Sequence, residues 1–242
     1  GGFPEVGKGP AGKLPVKSAL SGEKATPGQE EISCQVYESP LTARVAIAFQ
    51  KDKGQYHLGL CKFRAFRYGE AIAAFEKLAA DYPESTYLDQ AMYWTGESHF
   101  RLYNWGKALE SYQKLLEKWP QSEMGGYAYY SSGWIYLMVR KDYERGARFL
   151  GEFAEKFPPG PLTPTVLLLL GLAEFNTGRY VEAHDAFQMV VAGYSGSEEA
   201  AESSFWAAEA LFYQGGYSDA VAAYKKFLEA YPDSDKAAPA RY

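Results

Sequence analysis

The sequence has few of the residues from which metal and redox sites are built. Its 242 residues include only two Cys and three His, and their spacing matches no zinc motif. His57 and Cys61 stand four apart and would share a helix face, but nothing nearby supplies the other ligands of a tetrahedral site. Cys34 and Cys61 either form a disulfide or remain two buried thiols. We expect no metal and no cofactor.

Motifs of common enzymes are missing as well. No serine lies in a G-x-S-x-G stretch, and no complete G-x-x-x-x-G-K-[ST] motif is present to cradle a phosphate. An acid–base pair would need a closed pocket that shifts a pKa. We interpret Glu97, Glu174, Glu202 and Glu209 instead as solvated helix positions. The sequence therefore favours a protein that is not an enzyme.

The chain also lacks a strong excess of one charge and a long apolar stretch. It carries 25 Lys or Arg and 30 Asp or Glu, a net charge of −5. The basic residues form no cluster, which argues against a nucleic-acid partner. The longest apolar run, 166–173, is far shorter than the roughly 20 residues that cross a bilayer as a helix. We expect no transmembrane segment.

Aromatic residues are abundant, and they recur at a fixed period. Five stretches each open and close on an aromatic residue. The opening residues are Tyr68, Trp105, Tyr143, Tyr180 and Tyr217, and the closing residues are Tyr82, Trp119, Phe157, Tyr194 and Tyr231. Both series advance by 37, 38, 37 and 37 residues. Repetition at such a period predicts a stack of equal structural units.

Each stretch has a helical period. In the first, Ala71, Phe75 and Leu78 lie on one face, whereas the third copy departs from the pattern with Gly146 and Leu150. A second helix is predicted upstream of each stretch, because a small residue recurs where two helices would approach closely. These residues are Gly59, Gly96, Gly133, Gly171 and Ala208. The predicted turns between the helices are 67–69, 104–106, 141–142, 178–180 and 215–217.

The hairpin resembles the tetratricopeptide repeat. The match is carried by Leu58-Gly59, Ala71, Phe75 and Pro83, by Gly96, Ala108, Tyr112 and Pro120, by Leu170-Gly171, Ala183 and Phe187, and by Ala220, Tyr224 and Pro232. The usual repeat has about 34 residues, and this one is longer between the Pro and the next small residue. The longer form and its aromatic-Pro-x-Ser pattern resemble the repeats of two bacterial periplasmic families, the outer-membrane-assembly lipoproteins and the Tol–Pal-associated coordinators of cell-wall constriction.

The resemblance implies an all-α, right-handed superhelix of about five hairpins and the start of a sixth, over residues 55–242. The units would occupy 55–83, 88–120, 126–158, 163–195 and 199–232, with a partial unit at 237–242. It also implies a non-catalytic scaffold that binds a peptide or protein segment on its concave face, in bacterial envelope assembly. The expected location is periplasmic or outer-membrane-associated, with a lipid anchor upstream; a cytoplasmic location is the alternative.

In this family the first helices line the concave face, so their exposed positions would contact the partner. By the repeat register these positions are Tyr56, Arg64, Tyr93, Glu97, Arg101, Tyr127, Tyr130, Trp134, Leu172, Asn176, Glu202, Phe205, Glu209 and Tyr213. Aromatic and Arg side chains are common anchors of recognition. For Trp94, Trp134 and Trp206, packing between units is an equal alternative. For Glu97 and Arg101, four apart, a surface ion pair is the simpler interpretation.

The two ends of the chain leave alternatives open. Residues 1–38 are predicted to be a flexible tether. Residues 39–54 fit a capping helix or, because their apolar residues also alternate, the end of a preceding β domain. At the other end no polar cap follows the last unit, so we expect the native protein to continue past Tyr242 or to form a homodimer there. Two further functions remain open: a helical arm of a larger cell-envelope enzyme, or a self-assembling structural module.

Overall fold

The computed structural model describes residues 51–241 of the chain. Within that range the regular structure is helical, with ten α-helices and no strand. The predicted tether 1–38, most of the segment 39–54 and the Cys34–Cys61 question lie outside the described residues. Residues 51–54 belong to the first described helix.

The helices alternate with short connections. They are α1 (Lys51–Arg64), α2 (Tyr68–Asp81), α3 (Leu88–Arg101), α4 (Trp105–Lys118), α5 (Gly125–Trp134), α6 (Tyr143–Lys156), α7 (Thr163–Asn176), α8 (Tyr180–Gly193), α9 (Glu199–Tyr213) and α10 (Tyr217–Ala230). A π-helical segment, Ile135–Arg140, continues α5, and a 3-10 turn occupies Pro239–Arg241. The prediction of an all-α protein built from repeated hairpins is confirmed. The partial sixth unit stays a prediction.

The described residues divide into two compact units between Ser111 and Tyr112, and this boundary falls inside α4. In the first unit, α1 packs on α2, and both contact α3. In the second unit, consecutive helices from α5 to α10 pack against one another, and α7 also contacts α9. Each unit thus shows the pattern of a repeat protein, in which a helix touches mainly its neighbours in sequence.

Glycines at the helix crossings permit this close packing. A Cβ atom added to Gly59 would lie 2.3 Å from the Phe75 ring, and one added to Gly171 would lie 2.4 Å from the Phe187 ring. Both distances are well inside van der Waals contact. The predicted close approach of the two helices at these crossings is confirmed, and it explains why the repeat accepts a residue that weakens a helix interior.

The π-helical segment accounts for the one repeat that is 38 residues long. The opening aromatic follows the crossing glycine by nine residues in the hairpin of Gly59 and Tyr68, but by ten in the hairpin of Gly133 and Tyr143. The extra residue falls within the interval that contains Ile135–Arg140. A π-turn absorbs one additional residue without ending the helix, so the packing register is kept.

The hairpin turns lie slightly earlier than predicted. They comprise residues 65–67, 102–104, 141–142, 177–179 and 214–216, because the opening aromatic of each stretch is already the first residue of its helix. Only the turn at 141–142 has the predicted bounds. Each turn contains one residue with a left-handed backbone: Phe66, Tyr103, Lys141, Gly178 and Gly215.

Candidate functional site

Six of the fourteen residues predicted to face a partner are buried. They are Tyr56, Tyr93, Glu97, Tyr130, Leu172 and Phe205, all between 1 % and 6 % exposed. The expectation that these side chains lie on an open face is wrong, because they fill the spaces between helices. The burial of Glu97 also contradicts its interpretation as a solvated residue in a surface ion pair with Arg101.

Two of these residues show how the burial arises. The Tyr56 ring stacks on Tyr87 with 5.0 Å between centroids, and its hydroxyl donates to Gln90 Oε1 at 2.9 Å. Burial raises the pKa of Tyr56 to about 12. The Phe205 ring packs against Tyr224 and Phe227, with centroids 6.0 Å and 5.8 Å away. These aromatic side chains pack between neighbouring helices and are not accessible to a ligand.

Two of the three tryptophans considered as contacts are also buried between helices. Trp94 packs on Phe63 at 4.9 Å and Trp206 on Phe175 at 5.2 Å, and both indoles are buried. For these two residues the structure supports packing between units. Trp134 remains partly exposed.

Eight predicted residues keep solvent access. Arg64 and Tyr213 are exposed, and Arg101, Tyr127, Trp134, Asn176, Glu202 and Glu209 are partly exposed. Within the second unit, Glu202, Glu209 and Tyr213 follow one another on α9 at helical spacing, and Asn176 on α7 is the repeat equivalent of Tyr213. We call these four residues the first-helix face.

Tyr213 is the aromatic side chain of the first-helix face. It is 46 % exposed. The buried part of its ring stacks on Tyr180 at 5.4 Å and meets the edge of Phe175 at 5.2 Å. The neighbouring Gln214 donates to the Tyr180 carbonyl at 3.0 Å. The ring is therefore held in place while half of its surface remains available for a partner.

The polar groups of the face are oriented by bonds inside the unit. The Tyr224 hydroxyl donates to Glu209 Oε1 at 2.5 Å, and burial together with this bond raises the pKa of Tyr224. Trp206 donates to Glu202 Oε1 at 3.4 Å, and Asn176 donates to the Leu172 carbonyl at 2.7 Å. The second carboxylate oxygens give the face a negative character.

The hairpin turns of the first unit expose two rings that the sequence analysis did not identify. Phe66 is 78 % exposed with φ 60°, and Tyr103 is 76 % exposed with φ 58°. Both close a helix in the same way: Phe66 N donates to the Phe63 carbonyl at 3.0 Å and Arg67 N to the Lys62 carbonyl at 2.9 Å. Glycine is the usual residue at this position of the cap. Comparing the copies in register would have revealed the anomaly, since the equivalents are Lys141, Gly178 and Gly215.

The last hairpin exposes a second apolar patch. Phe212, Tyr217 and Val221 are 47 %, 62 % and 53 % exposed. Phe212 and Tyr217 keep the edge-to-face contact found in three other hairpins, with centroids 5.3 Å apart. Their equivalents one repeat earlier contact rings of α9 and are better shielded, with Phe175 only 8 % exposed.

Metal-binding clusters and membrane-spanning helices are absent from the described part of the chain. Residues 51–241 contain no group of three or more His, Cys, Asp or Glu side chains that could hold a metal ion. Among the same residues, no helix combines the length and apolar character needed to cross a membrane.

Comparison with known families identifies the repeat. A family model described as outer membrane lipoprotein (YfiO) matches residues 50–158, and two tetratricopeptide-repeat models match 135–198 and 202–234. This chain is a tetratricopeptide-repeat protein. It resembles the outer membrane lipoprotein type over its first three described hairpins, as the longer repeat had predicted. A search of curated protein sequences gave no match.

Solved structures share the fold of this tetratricopeptide-repeat protein. The C-terminal part of a repeat-containing protein from Cytophaga hutchinsonii has a TM-score of 0.64 and 15 % identity, over 84 % of this chain and 74 % of that one. A crystal structure of MamA has a TM-score of 0.62 and 19 % identity, over 78 % and 94 %. MamA from Desulfovibrio magneticus RS-1 has a TM-score of 0.59 and 18 % identity, over 76 % and 97 %.

The repeat families and the fold together make the chain a protein-interaction scaffold, so its partners are expected to be proteins. Scaffolds of this type are generally not enzymes. The match to the outer membrane lipoprotein model links the chain with the outer membrane or the periplasm.

Proposed function

We propose that this repeat protein is a non-catalytic scaffold of the bacterial envelope that captures a peptide or protein segment on its first-helix face. The observation that carries the proposal is Tyr213, a half-exposed ring braced by Tyr180 and Phe175. Side chains that are already ordered bind with a smaller loss of conformational freedom. Aromatic residues of this kind are frequent anchors of protein interfaces.

The chemistry of the face defines the partner. Glu202 and Glu209 lie on the same helix as Tyr213, and α9 contains no Lys or Arg. An acidic surface beside an aromatic ring favours a segment that presents an apolar or aromatic side chain next to Lys or Arg. The same acidic character disfavours the acidic chaperone tails that other repeat proteins of this fold bind through basic clamps.

Replacement of Tyr213 tests the proposal. Tyr213→Ala should remove specific proteins from those captured by the intact protein in an envelope extract, as measured by quantitative mass spectrometry. Met189→Ala serves as the control, because Met189 is 56 % exposed on the second helix α8. A folded Tyr213→Ala protein that captures the same set as the wild type would refute binding at this face.

The envelope location rests on the lipoprotein-type repeats at residues 50–158, and an upstream lipid anchor is part of the same proposal. Fractionation of the source cells should recover the protein with the periplasm or the outer membrane. Recovery from the cytosol would support the cytoplasmic alternative.

Self-association is a second candidate, favoured by the exposed patch of Phe212, Tyr217 and Val221. A second copy that covers this patch would form the predicted homodimer. Sedimentation velocity should then show mass increasing with concentration for the wild type and for Met189→Ser, but not for the double variant Phe212→Ser, Tyr217→Ser. A wild type that stays monomeric at every concentration would eliminate this candidate.

A further inference from the structure

Two bulky residues occupy backbone positions at which they are strained. Phe66 and Tyr103 occupy the left-handed position of a helix cap, where the Cβ of an L residue lies too close to the following carbonyl oxygen. Four of the five turns share the same cap hydrogen bonds, and in the second unit glycine satisfies this geometry at Gly178 and Gly215. The cap therefore works without an aromatic ring, and folding alone does not explain the two rings.

The rings also contribute little to the core. Phe66 touches Tyr68 edge-on at 6.3 Å, and Tyr103 touches Trp105 at 5.4 Å, yet more than three quarters of each residue remains exposed. Leu102, next to Tyr103, is 41 % exposed. Strain at an exposed side chain with so little packing is a reason to look for a binding role.

The surroundings of the rings are basic. We call residues 62–70 and 99–107 the turn tips. The turn tips contain Lys62, Arg64, Arg67, Arg101 and Lys107 against the single acidic residue Glu70. Equivalent segments of the second unit, 137–145, 174–182 and 211–219, contain four Lys or Arg and five Asp or Glu. The positive charge is thus local, although the whole chain is negative. The expectation that basic residues form no cluster therefore does not hold for the turn tips.

Ion pairing reduces this charge only in part. Glu70 pairs with Arg67 at 2.5 Å and with Lys62 at 3.4 Å. Arg64 and Lys107 are exposed, and Arg101 is partly exposed. Together the tips keep a net positive charge beside two protruding rings.

We propose that the turn tips dock the protein onto an anionic lipid surface. Rings that project from the ends of hairpins suit a soft lipid interface, whereas a protein partner would need a matching pocket for each ring. Tyr favours the headgroup region of a bilayer, and Phe favours the boundary with the acyl chains. Lys and Arg are attracted to an anionic surface. This proposal is independent of the first-helix face, which lies on other residues.

Vesicle binding by the intact protein tests the proposal. Wild-type protein should co-sediment with vesicles of phosphatidylglycerol and phosphatidylethanolamine, and should bind much less to phosphatidylcholine vesicles. Binding should also fall in about 1 M salt, where the Debye length is about 3 Å. A wild-type protein that does not co-sediment with the anionic vesicles would overturn the proposal.

A double glycine variant separates binding from folding. Phe66→Gly with Tyr103→Gly removes both rings and relieves the backbone strain. We expect Tm to rise by at least roughly 4 °C, because two strained positions are relieved. Vesicle affinity should fall by roughly tenfold or more, since burying one aromatic ring is typically worth more than a factor of ten. A loss of binding in a protein that is at least as stable as wild type cannot be attributed to unfolding.

The chain offers a matched control for the backbone effect. Lys141→Gly relieves the same left-handed position, at φ 55°, in the second unit. It should leave vesicle affinity within about twofold, because it removes one charge outside the turn tips and no ring. Equal vesicle binding by the wild type and the double glycine variant would refute the tips as the lipid contact, even if the wild type binds.

Discussion

The first and last described hairpins keep the same repeat register but have different side chains at the helix crossing and in the turn. The hairpin α1–α2 has Gly59 at the helix crossing, Phe75 facing it and Phe66 in the turn, whereas α9–α10 has Ala208, Tyr224 and Gly215 at the equivalent positions. The helix lengths and the turn hydrogen bonds are nearly the same. Repetition therefore fixes where helices begin, end and cross, while the side chains at those places remain free to vary together.

The packing of the two crossings illustrates this joint variation. In the first hairpin the Phe75 ring occupies the space of a residue-59 Cβ, and Leu60 lies beside Gly59 in the sequence. In the last hairpin a carboxylate, Glu209, replaces Leu60 and accepts the Tyr224 hydroxyl. The first hairpin thus has an apolar pair of residues, Leu60 and Phe75, at the positions where the last hairpin has a hydrogen-bonded pair. Variants at these positions test how far each hairpin depends on its own side chains.

The largest effect is expected at the crossing of the first hairpin. Gly59→Ala places a methyl group 2.3 Å from the Phe75 ring, so the helices must separate or the ring must leave its rotamer. We expect the free energy of unfolding to fall by about 2–3 kcal/mol, as measured by denaturant titration.

Gly54→Ala is the control on the same helix. A Cβ at Gly54 meets nothing within 4 Å, so this variant should gain up to about 1 kcal/mol from helix propensity. Equal stabilities of the two variants would contradict the close-crossing account.

The next effect concerns the polar pair of the last hairpin. Tyr224→Phe removes the donor to Glu209 and should destabilise the protein by about 1–2 kcal/mol. Adding Glu209→Leu recreates the apolar pair of the first hairpin and should recover much of that loss. A double-mutant cycle measures the coupling between the two residues, and additive effects would show that the hydrogen bond contributes nothing.

A smaller effect is expected from exchanging the turn residues. Gly215→Phe transfers the strained arrangement of Phe66 to the last hairpin, where φ is 87°. We expect a loss of about 1–2 kcal/mol, seen as a lower Tm. A Tm that does not change would mean that the turn tolerates a ring without strain, and it would weaken the argument made from Phe66 and Tyr103.

The last effect is absent at neutral pH and appears only at alkaline pH. Burial raises the pKa of Tyr56 to about 12 and also raises that of Tyr224, whereas an unfolded Tyr titrates near pH 10. The folded state therefore holds these protons more tightly. Their stabilising contribution should be complete below pH 10 and should decline as the pH rises toward 12.

Tyrosinate absorbance followed against pH measures this effect. Tyr56→Phe should remove one late-titrating group from the profile. A wild-type profile in which every Tyr ionises near pH 10 while the protein is folded would contradict the burial of these phenols.

Much of the fold could be predicted because the repeat leaves a signal in several independent residues. The opening and closing aromatics keep the same spacing, so a single error cannot shift the assignment. The extra residue in the third repeat was visible as a spacing of 38. Its conversion into a π-turn was not, because local spacing does not say whether a helix bulges or ends.

The candidate site was harder to predict because amphipathic periodicity assumes that one side of a helix faces water. Helix α7 breaks this assumption, since ten of its fourteen residues are buried, including the predicted contact Leu172. The predictions for Tyr93 and Tyr130 were wrong for the same reason, because the first helix of a hairpin packs against other helices on more than one side. The exposed rings of Phe66 and Tyr103 were not predicted because they lie in turns, whereas the predicted contacts were all positions on helices.

The most direct test of the scaffold account is photocrosslinking in the source cells. A photoreactive phenylalanine analogue placed at Tyr213, and in a separate variant at Met189, keeps the rest of the protein intact. The account predicts discrete cross-links to a partner protein from position 213 and none of these from position 189. The same products from both positions, or no product from position 213, would contradict the claim that the first-helix face is the binding surface.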